Sequence, residues 1–250
     1  MNLTNKKIIQ NQWLTQLSEF QTKGFFTVKG LFDSEEITMW QSECERLSQL
    51  IKQRNIGEFN IRSQRICVDG TMTFDRLDPV TNISPLFEKL AGDDRILNLM
   101  GLVLGSKPAL FKSKLIFKYS GTTGYGLHQD FPYWQYMKIP ANALVTLQVN
   151  IDYSHKENGA IEFFPGLHHS ILPAPVDEPR DVDPSQINLD SSELIEAQPG
   201  DICIFHSLAP HRSNTNISQS KRRMLFLIYT TTEYSDKCQT YYTTELGENF

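Results

Sequence analysis

Long apolar runs are missing from this sequence. The longest, MLFLIY at 224–229, is far too short to cross a bilayer, so no membrane partner is expected. Cysteine is scarce: the four residues Cys44, Cys67, Cys203 and Cys238 have neither metal-type nor redox-type spacing. That excludes a disulfide framework and favours reduced thiols in a cytoplasm, with Cys203, inside DICIF, read as core. Positive charge is not in excess, since 24 Lys and Arg face 29 Asp and Glu for a net charge of −5. A phosphate backbone needs a basic surface, so nucleic acid is excluded as the main partner. Repeats of twenty residues or more and low-complexity segments are also lacking, and MNLTNKKIIQNQWL has no apolar core of the signal-peptide kind.

What is present is an ordinary globular composition, 40% hydrophobic and 21% charged over 250 residues, enough for a single domain over 1–250 with one well-buried core. The region to about residue 105 reads mainly as helix. DSEEITMWQSECERLSQLIKQ opens with Asp33 and Glu36 at capping-box spacing, and Ile37, Trp40, Cys44, Leu47 and Ile51 then share a helical face. A second helical stretch follows Ser84-Pro85, with apolar positions from Leu86 to Leu104, and stops at Gly105. From about 106 to 235 the period changes to alternation. ALFKSKLIFKY, ALVTLQVNID, AIEFF, GDICIFH and RRMLFLIYTT are short runs of branched and aromatic residues between Gly, Pro and Asn turns. A mainly β fold is expected, a sandwich or jelly roll with the N-terminal helices packed outside. Residues 172–198 interrupt it with four prolines, seven acids and no period, and are read as a lid.

One stretch carries chemistry. In GYGLHQDFPYW, His128 and Asp130 sit at i and i+2, so on a strand both side chains reach one side. A neutral imidazole and a carboxylate suit a divalent first-row metal. A third ligand must come from elsewhere, and PGDICIFHSLAPHRSNTNISQSKRR offers His206 and His211, with the loop-side His211 slightly favoured. Two histidines and one acid on one side of an ion leave three open positions, as in non-haem ferrous oxygenases. Zinc hydrolases use similar ligands.

The ordered motifs over most of the chain resemble the phytanoyl-CoA dioxygenase-like family of iron(II)/2-oxoglutarate oxygenases. They are FQTKGFFTVKGLFDSEEI, DRLDPVTNISPLFEKLAGDDRILNLMGLVLG, KLIFKYSGTTGYGLHQD, ENGAIEFFPGLHHS and PGDICIFHSLAPHRSNTNISQSKRR. The resemblance implies a double-stranded β-helix, the cupin jelly roll, with Fe(II) held by His128, Asp130 and His211 and with 2-oxoglutarate and O2 as co-substrates. It implies that Arg222, eleven residues after His211, grips the far carboxylate of 2-oxoglutarate, as a guanidinium can through two parallel bonds. Periodicity does not choose between Arg222 and Arg223. By the same resemblance Lys114 and Gln148 lie near the co-substrate and Arg76 at its rim, although Lys112, Lys114 and Lys118 also fit a solvated edge strand.

In ALVTLQVNI the polar row Thr146, Gln148 and Asn150 faces away from Leu147, Val149 and Ile151, and is expected to line a wet cavity. His168 and His169 are expected near the site or on the surface rather than as ligands. Asp201 is expected to cap a turn, and Asn158-Gly159 and Pro165-Gly166 to form turns. Halogenases among the resembling proteins have a small residue in place of the metal-binding acid; Asp130 fills that place, so hydroxylation is the default expectation, with desaturation, cyclisation and oxidative dealkylation open because each begins with the same hydrogen abstraction. Phe131, Tyr133 and Trp134 are candidate contacts for a small-molecule substrate such as an amino acid or natural-product intermediate. The competing readings are a divalent-metal hydrolase and a non-catalytic cupin-like binding module. Neither requires a guanidinium at position 222.

Overall fold

The chain is described by a computed structural model covering residues 13–52 and 61–246. Residues 1–12, where a signal peptide was sought, and 53–60, within the expected helical region, lie outside the described residues. Helices α1 (Leu14–Lys23), α2 (Ser34–Lys52), α3 (Pro85–Ala91) and α4 (Asp94–Leu104) form one layer. The α2 capping box is reciprocal: the Glu36 amide donates to Asp33 Oδ1 at 3.0 Å and the Asp33 amide to Glu36 Oε2 at 3.0 Å. Trp40, Cys44 and Leu47 are buried as the spacing requires. The stretch after Ser84-Pro85 is two helices, because Gly92 and Asp93 break it and Asp93 caps α4 through the Arg95 amide. Gly105 ends α4 in the left-handed conformation at φ 64°.

Two sheets follow. Seven strands run in the order β1-β9-β6-β11-β4-β3-β2, with β1 Phe25–Val28, β2 Ile61–Ile66, β3 Met72–Asp78, β4 Pro108–Lys118, β6 Val145–Asn150, β9 Ile202–His206 and β11 Arg222–Thr231. Four strands run β5-β10-β7-β8, with β5 Tyr125–His128, β7 Ile161–Phe163, β8 Glu193–Leu194 and β10 His211–Ser213. Three of these strands, β1, β2 and β3, lie in the region read as mainly helical. The outermost two, β2 and β3, are rich in polar residues, which hides the apolar signal that marks inner strands.

Alternation sorts the core into two layers. Leu115, Phe117, Leu147, Val149, Leu225, Leu227 and Tyr229 meet the helices on the outer face of the large sheet. Ile116, Met224, Phe226, Ile228, Cys203 and Phe205 face inward, toward Ile161 and Phe163 of the small sheet. A C-terminal helix absent from the sequence reading, α6 (Lys237–Leu246), adds Tyr241 and Tyr242 to this inner layer. Its polar ends explain its place: Tyr242 donates to Asp78 Oδ1 at 2.9 Å, and Lys112 reaches both Tyr241 and Asp78.

The segment 172–198 is fastened at both edges of the small sheet. Within it β8 pairs with β7, Asp181 bridges His128, and the Val182 amide donates to the Leu127 carbonyl at 2.9 Å. Leu127, Phe164 and Val182 form a small core beneath it. Among the described residues no helix is long and apolar enough to cross a membrane.

Within the small sheet the backbones leading into β5 and along β10 approach tightly at Gly124, where a Cβ would lie 1.8 Å from the Ser213 carbonyl oxygen. Gly124→Ala is therefore expected to part β5 from β10, lowering stability by about 3 kcal/mol and the melting midpoint by roughly 6–12 °C. A thermal melt checks this, and an unchanged midpoint contradicts the packing.

Candidate metal and 2-oxoglutarate site

Pairing of β10 with β5 puts His211 directly opposite His128, and their rings stand 4.2 Å apart between centroids. Asp130 starts the short helix after β5 (α5, Phe131–Trp134) and is buried. One ligand atom from each of His128, Asp130 and His211 lies within 4.8 Å of the others, the only such group of three or more His, Cys, Asp or Glu among the described residues. Tautomers decide whether these imidazoles can ligate. His128 Nδ1 is 2.8 Å from the Gly126 carbonyl and His211 Nδ1 is 2.9 Å from the Ala209 carbonyl. A carbonyl only accepts, so both protons sit on Nδ1 and both Nε2 lone pairs are free for a metal.

His206 is arranged the opposite way. Its Nδ1 accepts from the Leu208 amide at 3.0 Å, so Nε2 carries the proton and offers no lone pair. It packs instead beside Phe20 and His168. The two candidates for third ligand are thus told apart by one hydrogen bond each, in favour of His211. Burial, reinforced by His168 and His169, pushes the His206 imidazole down to about 4. Between the unfolded value near 6.5 and that value the unfolded chain holds a proton that the native fold refuses, so stability falls as pH drops through this window. His206→Asn is expected to flatten that loss while still binding ferrous iron like the parent. Denaturant unfolding at pH 7 and pH 4.5, with an iron titration, tests both.

Electrostatics prepare the triad for a cation. Burial pushes His211 down to about 3, which keeps it neutral. Burial by itself would raise the Asp130 carboxyl, but the neighbouring Lys114 charge, with Thr146 donating to it, helps to hold it below the usual range. Thr146 donates to Asp130 Oδ2 at 3.4 Å, while Oδ1 lies 3.9 Å from His128 Nε2. In the sequence Thr146 is one member of a polar row; its contact with Asp130 exists only once β6 packs against the residues after β5.

Beside the triad a half-open pocket runs inward between the sheets. Its walls include Lys114, Tyr125, Gln148, Ser213, Arg222 and Met224. Arg222 is only 2% exposed and, among the described residues, forms no ion pair with a carboxylate. It donates to the carbonyls of Asn158 (3.2 Å) and Gly159 (2.6 Å) and to Ser154 Oγ (3.3 Å). Burial pushes the guanidinium down to about 9, the mark of a cation lacking its counter-ion. Arg223 points to the other face, where Asp152 and Glu45 pair with it at 2.7 Å. The fold thus turns Arg222 toward the pocket and Arg223 away from it.

These residues fit a divalent metal with an anion beside it: three converging ligand atoms, a neutral buried imidazole, an ionised acid and an uncompensated buried guanidinium. The phytanoyl-CoA dioxygenase (PhyH) family profile matches residues 20–224. The chain belongs to that family. Methylphosphonate hydroxylase of Gimesia maris is 28% identical over 208 residues, 83% of this chain and 73% of the relative. Ectoine dioxygenase of Nocardia farcinica is 27% identical over 239 residues, 87% of this chain and 78% of the relative. EctD from S. alaskensis, solved with 2-oxoglutarate and 5-hydroxyectoine, superposes with a TM-score of 0.73 at 19% identity, covering 88% of this chain and 76% of that one, a likeness of fold.

In this family member the remaining sequence candidates fall in several places. Gln148 is buried on the pocket wall, and its Nε2 donates to Asn150 Oδ1 at 2.8 Å. Strand β4 is flanked by β11 and β3, so the edge-strand reading of its lysines does not hold. Lys112 pairs with Asp78 at 2.6 Å. Lys118 is held by Ser213 Oγ (3.0 Å) and by the carbonyls of Gly159 and Asn214; burial, then neighbouring Arg222, pushes it down to about 6. Lys114 lines the pocket with its ammonium 4.9 Å from the Phe226 ring centre. Arg76 lies one strand further out, opposite Ile116, with Nε 3.9 Å from Asp78 Oδ2.

Of the aromatics, Tyr133 donates to Asp181 at 3.1 Å beside His128, and Phe131 packs against the inner core. Trp134 is buried edge-on to Phe111 and belongs to the core. His168 is wedged against Gly24, His169 is exposed, and neither joins the triad. Asp201 caps as expected, accepting from the Gly30 and Gln198 amides at 2.8 Å.

Proposed function

We propose that the protein is an iron(II)- and 2-oxoglutarate-dependent oxygenase that hydroxylates an unactivated C–H bond of a small molecule, with release of succinate and CO2. The observation that carries this reading is the pairing of a His128–Asp130–His211 triad with a buried, uncompensated Arg222 in one pocket. A metal hydrolase needs the triad but not the guanidinium. Family membership and relatives named for methylphosphonate and ectoine support the class and the small size of the substrate.

When bound, iron with its keto-acid co-substrate supplies the oxidising chemistry. The chain's own residues do the rest. Nε2 of His128, Nε2 of His211 and one oxygen of Asp130 would hold the metal, with the Gly126 and Ala209 carbonyls and Thr146 orienting them. Arg222 would grip the far carboxylate of 2-oxoglutarate, and Gln148 would flank it. Ile116, Ile161, Met224 and Phe226 make that part of the pocket apolar, which strengthens the guanidinium–carboxylate attraction and excludes water. Asp130 occupies the position a halide would need, which supports hydroxylation over halogenation. The segment 172–198, fastened to both edges of the small sheet, would wall the mouth beside Tyr133. Free thiols at all four cysteines support a cytoplasmic setting.

Succinate formation from 2-oxoglutarate under air, with ferrous iron and ascorbate, tests the class. Turnover that depends on both iron and 2-oxoglutarate is expected. Failure to form succinate across a small-metabolite screen, with iron bound, overturns it.

A further inference from the structure

Three cations line the pocket: Lys114, Arg212 and Arg222. Arg212 is neutralised by Glu162, whose carboxylate oxygen lies 2.5 Å from its Nε. Arg222 is reserved for the distal carboxylate of 2-oxoglutarate under the reading above, on which this inference rests. Lys114 is different from its neighbours on β4. Lys112 has Asp78 and Lys118 has three oxygens, whereas no hydrogen bond or ion pair reaches Lys114 among the described residues. Its contact is the face of Phe226. Of the carboxylates near this strand, Asp78 is engaged by Lys112 and Tyr242, and Asp130, on which the Lys114 charge acts, is taken up by the metal.

Charge balance then assigns it. A ferrous ion brings two positive charges, met by one from Asp130; 2-oxoglutarate brings two negative charges, met by Arg222. The loaded centre is neutral without Lys114, so its ammonium remains as a single surplus positive charge on a largely apolar wall. In such a wall an unmatched charge attracts an anion far more strongly than it would in water. We infer that Lys114 is the subsite for an anionic head group, phosphonate or carboxylate, on the substrate. The family resemblance gave Lys114 to the co-substrate; the charge balance leaves it to the molecule being oxidised.

The test is anaerobic binding to the protein loaded with Fe(II). Addition of 2-oxoglutarate is read by the visible charge-transfer band of the chelate, and its appearance establishes the underlying reading independently. Methylphosphonate, propionate and the uncharged dimethyl methylphosphonate are then titrated in and followed by perturbation of that band. At least one of the two anions is expected to bind and the neutral ester not to; which anion binds more tightly names the head group. Lys114→Met is expected to weaken that anion by about 10-fold, less than for a fully buried charge pair because Lys114 is half-buried, and Lys114→Arg to restore most of it. A band that forms in the parent without either anion binding overturns the inference while leaving the oxygenase reading intact. So does a Lys114→Met protein in which affinity for 2-oxoglutarate falls as far as affinity for the anion, because the lysine then belongs to the co-substrate.

Discussion

Asp130→Gly is expected to abolish hydroxylation and to weaken ferrous iron binding by at least about 100-fold, beyond the 10–100-fold typical of losing a residue that merely supports a ligand. The reason is geometric and electrostatic together. Asp130 is the one anionic member of the triad, buried between two imidazoles, and its ionised form is favoured by Lys114. Without it the site keeps two neutral ligands and gains a cavity beside a positive lysine, which suits a small anion better than a divalent cation. Iron titration and a mass search for one gained oxygen atom in product check this. Full hydroxylase activity in the variant would refute the ligand assignment.

Arg222→Met is expected to raise the KM for 2-oxoglutarate by at least about 100-fold, corresponding to roughly 3 kcal/mol for one partner of a buried charge pair. Three neutral groups already hold the guanidinium in place, so its position does not depend on the ligand. What the side chain lacks is a negative charge. A sharper form of the test uses 2-oxovalerate, which has the same five carbons but no distal carboxylate. The parent should discriminate strongly against it, and Arg222→Met should largely lose that discrimination. Arg222→Lys should fall between, because an ammonium cannot make the paired planar contact. Arg223→Met is the control: it should lower stability through loss of Asp152 and Glu45 yet leave the KM for 2-oxoglutarate near the parent value. Equal KM effects at 222 and 223 would sink the assignment.

Much of this site could be read before any fold was known, for a specific reason. His128 and Asp130 are two residues apart, close enough to reach one metal even though β5 ends at His128 and Asp130 caps the next helix, whereas Arg222 came from the family resemblance because periodicity did not choose it over Arg223. The strands of the inner layer announced themselves by alternation, and β6 even declared its polar row. What stayed hidden depends on contacts between distant segments. β2 and β3 are polar outer strands, α6 is a weakly amphipathic helix, and the fastening of 172–198 to β5 is a pairing across some fifty residues of chain. None of these leaves a periodic mark.

By itself the sequence determined the chemistry: which residue types could bind a metal and a dicarboxylate, and that alternating strands would present them. Tertiary structure alone decided among equals. Hydrogen bonds from distant backbone groups set the tautomers that admit His211 and exclude His206. The outward pairing of Arg223 with Asp152 and Glu45 turned Arg222 inward, and the packing gave Lys112 and Lys118 partners while leaving Lys114 with no hydrogen bond or ion pair among the described residues. Protonation and charge pairing depend on what lies within a few ångströms in space, and that neighbourhood exists only once the chain has folded.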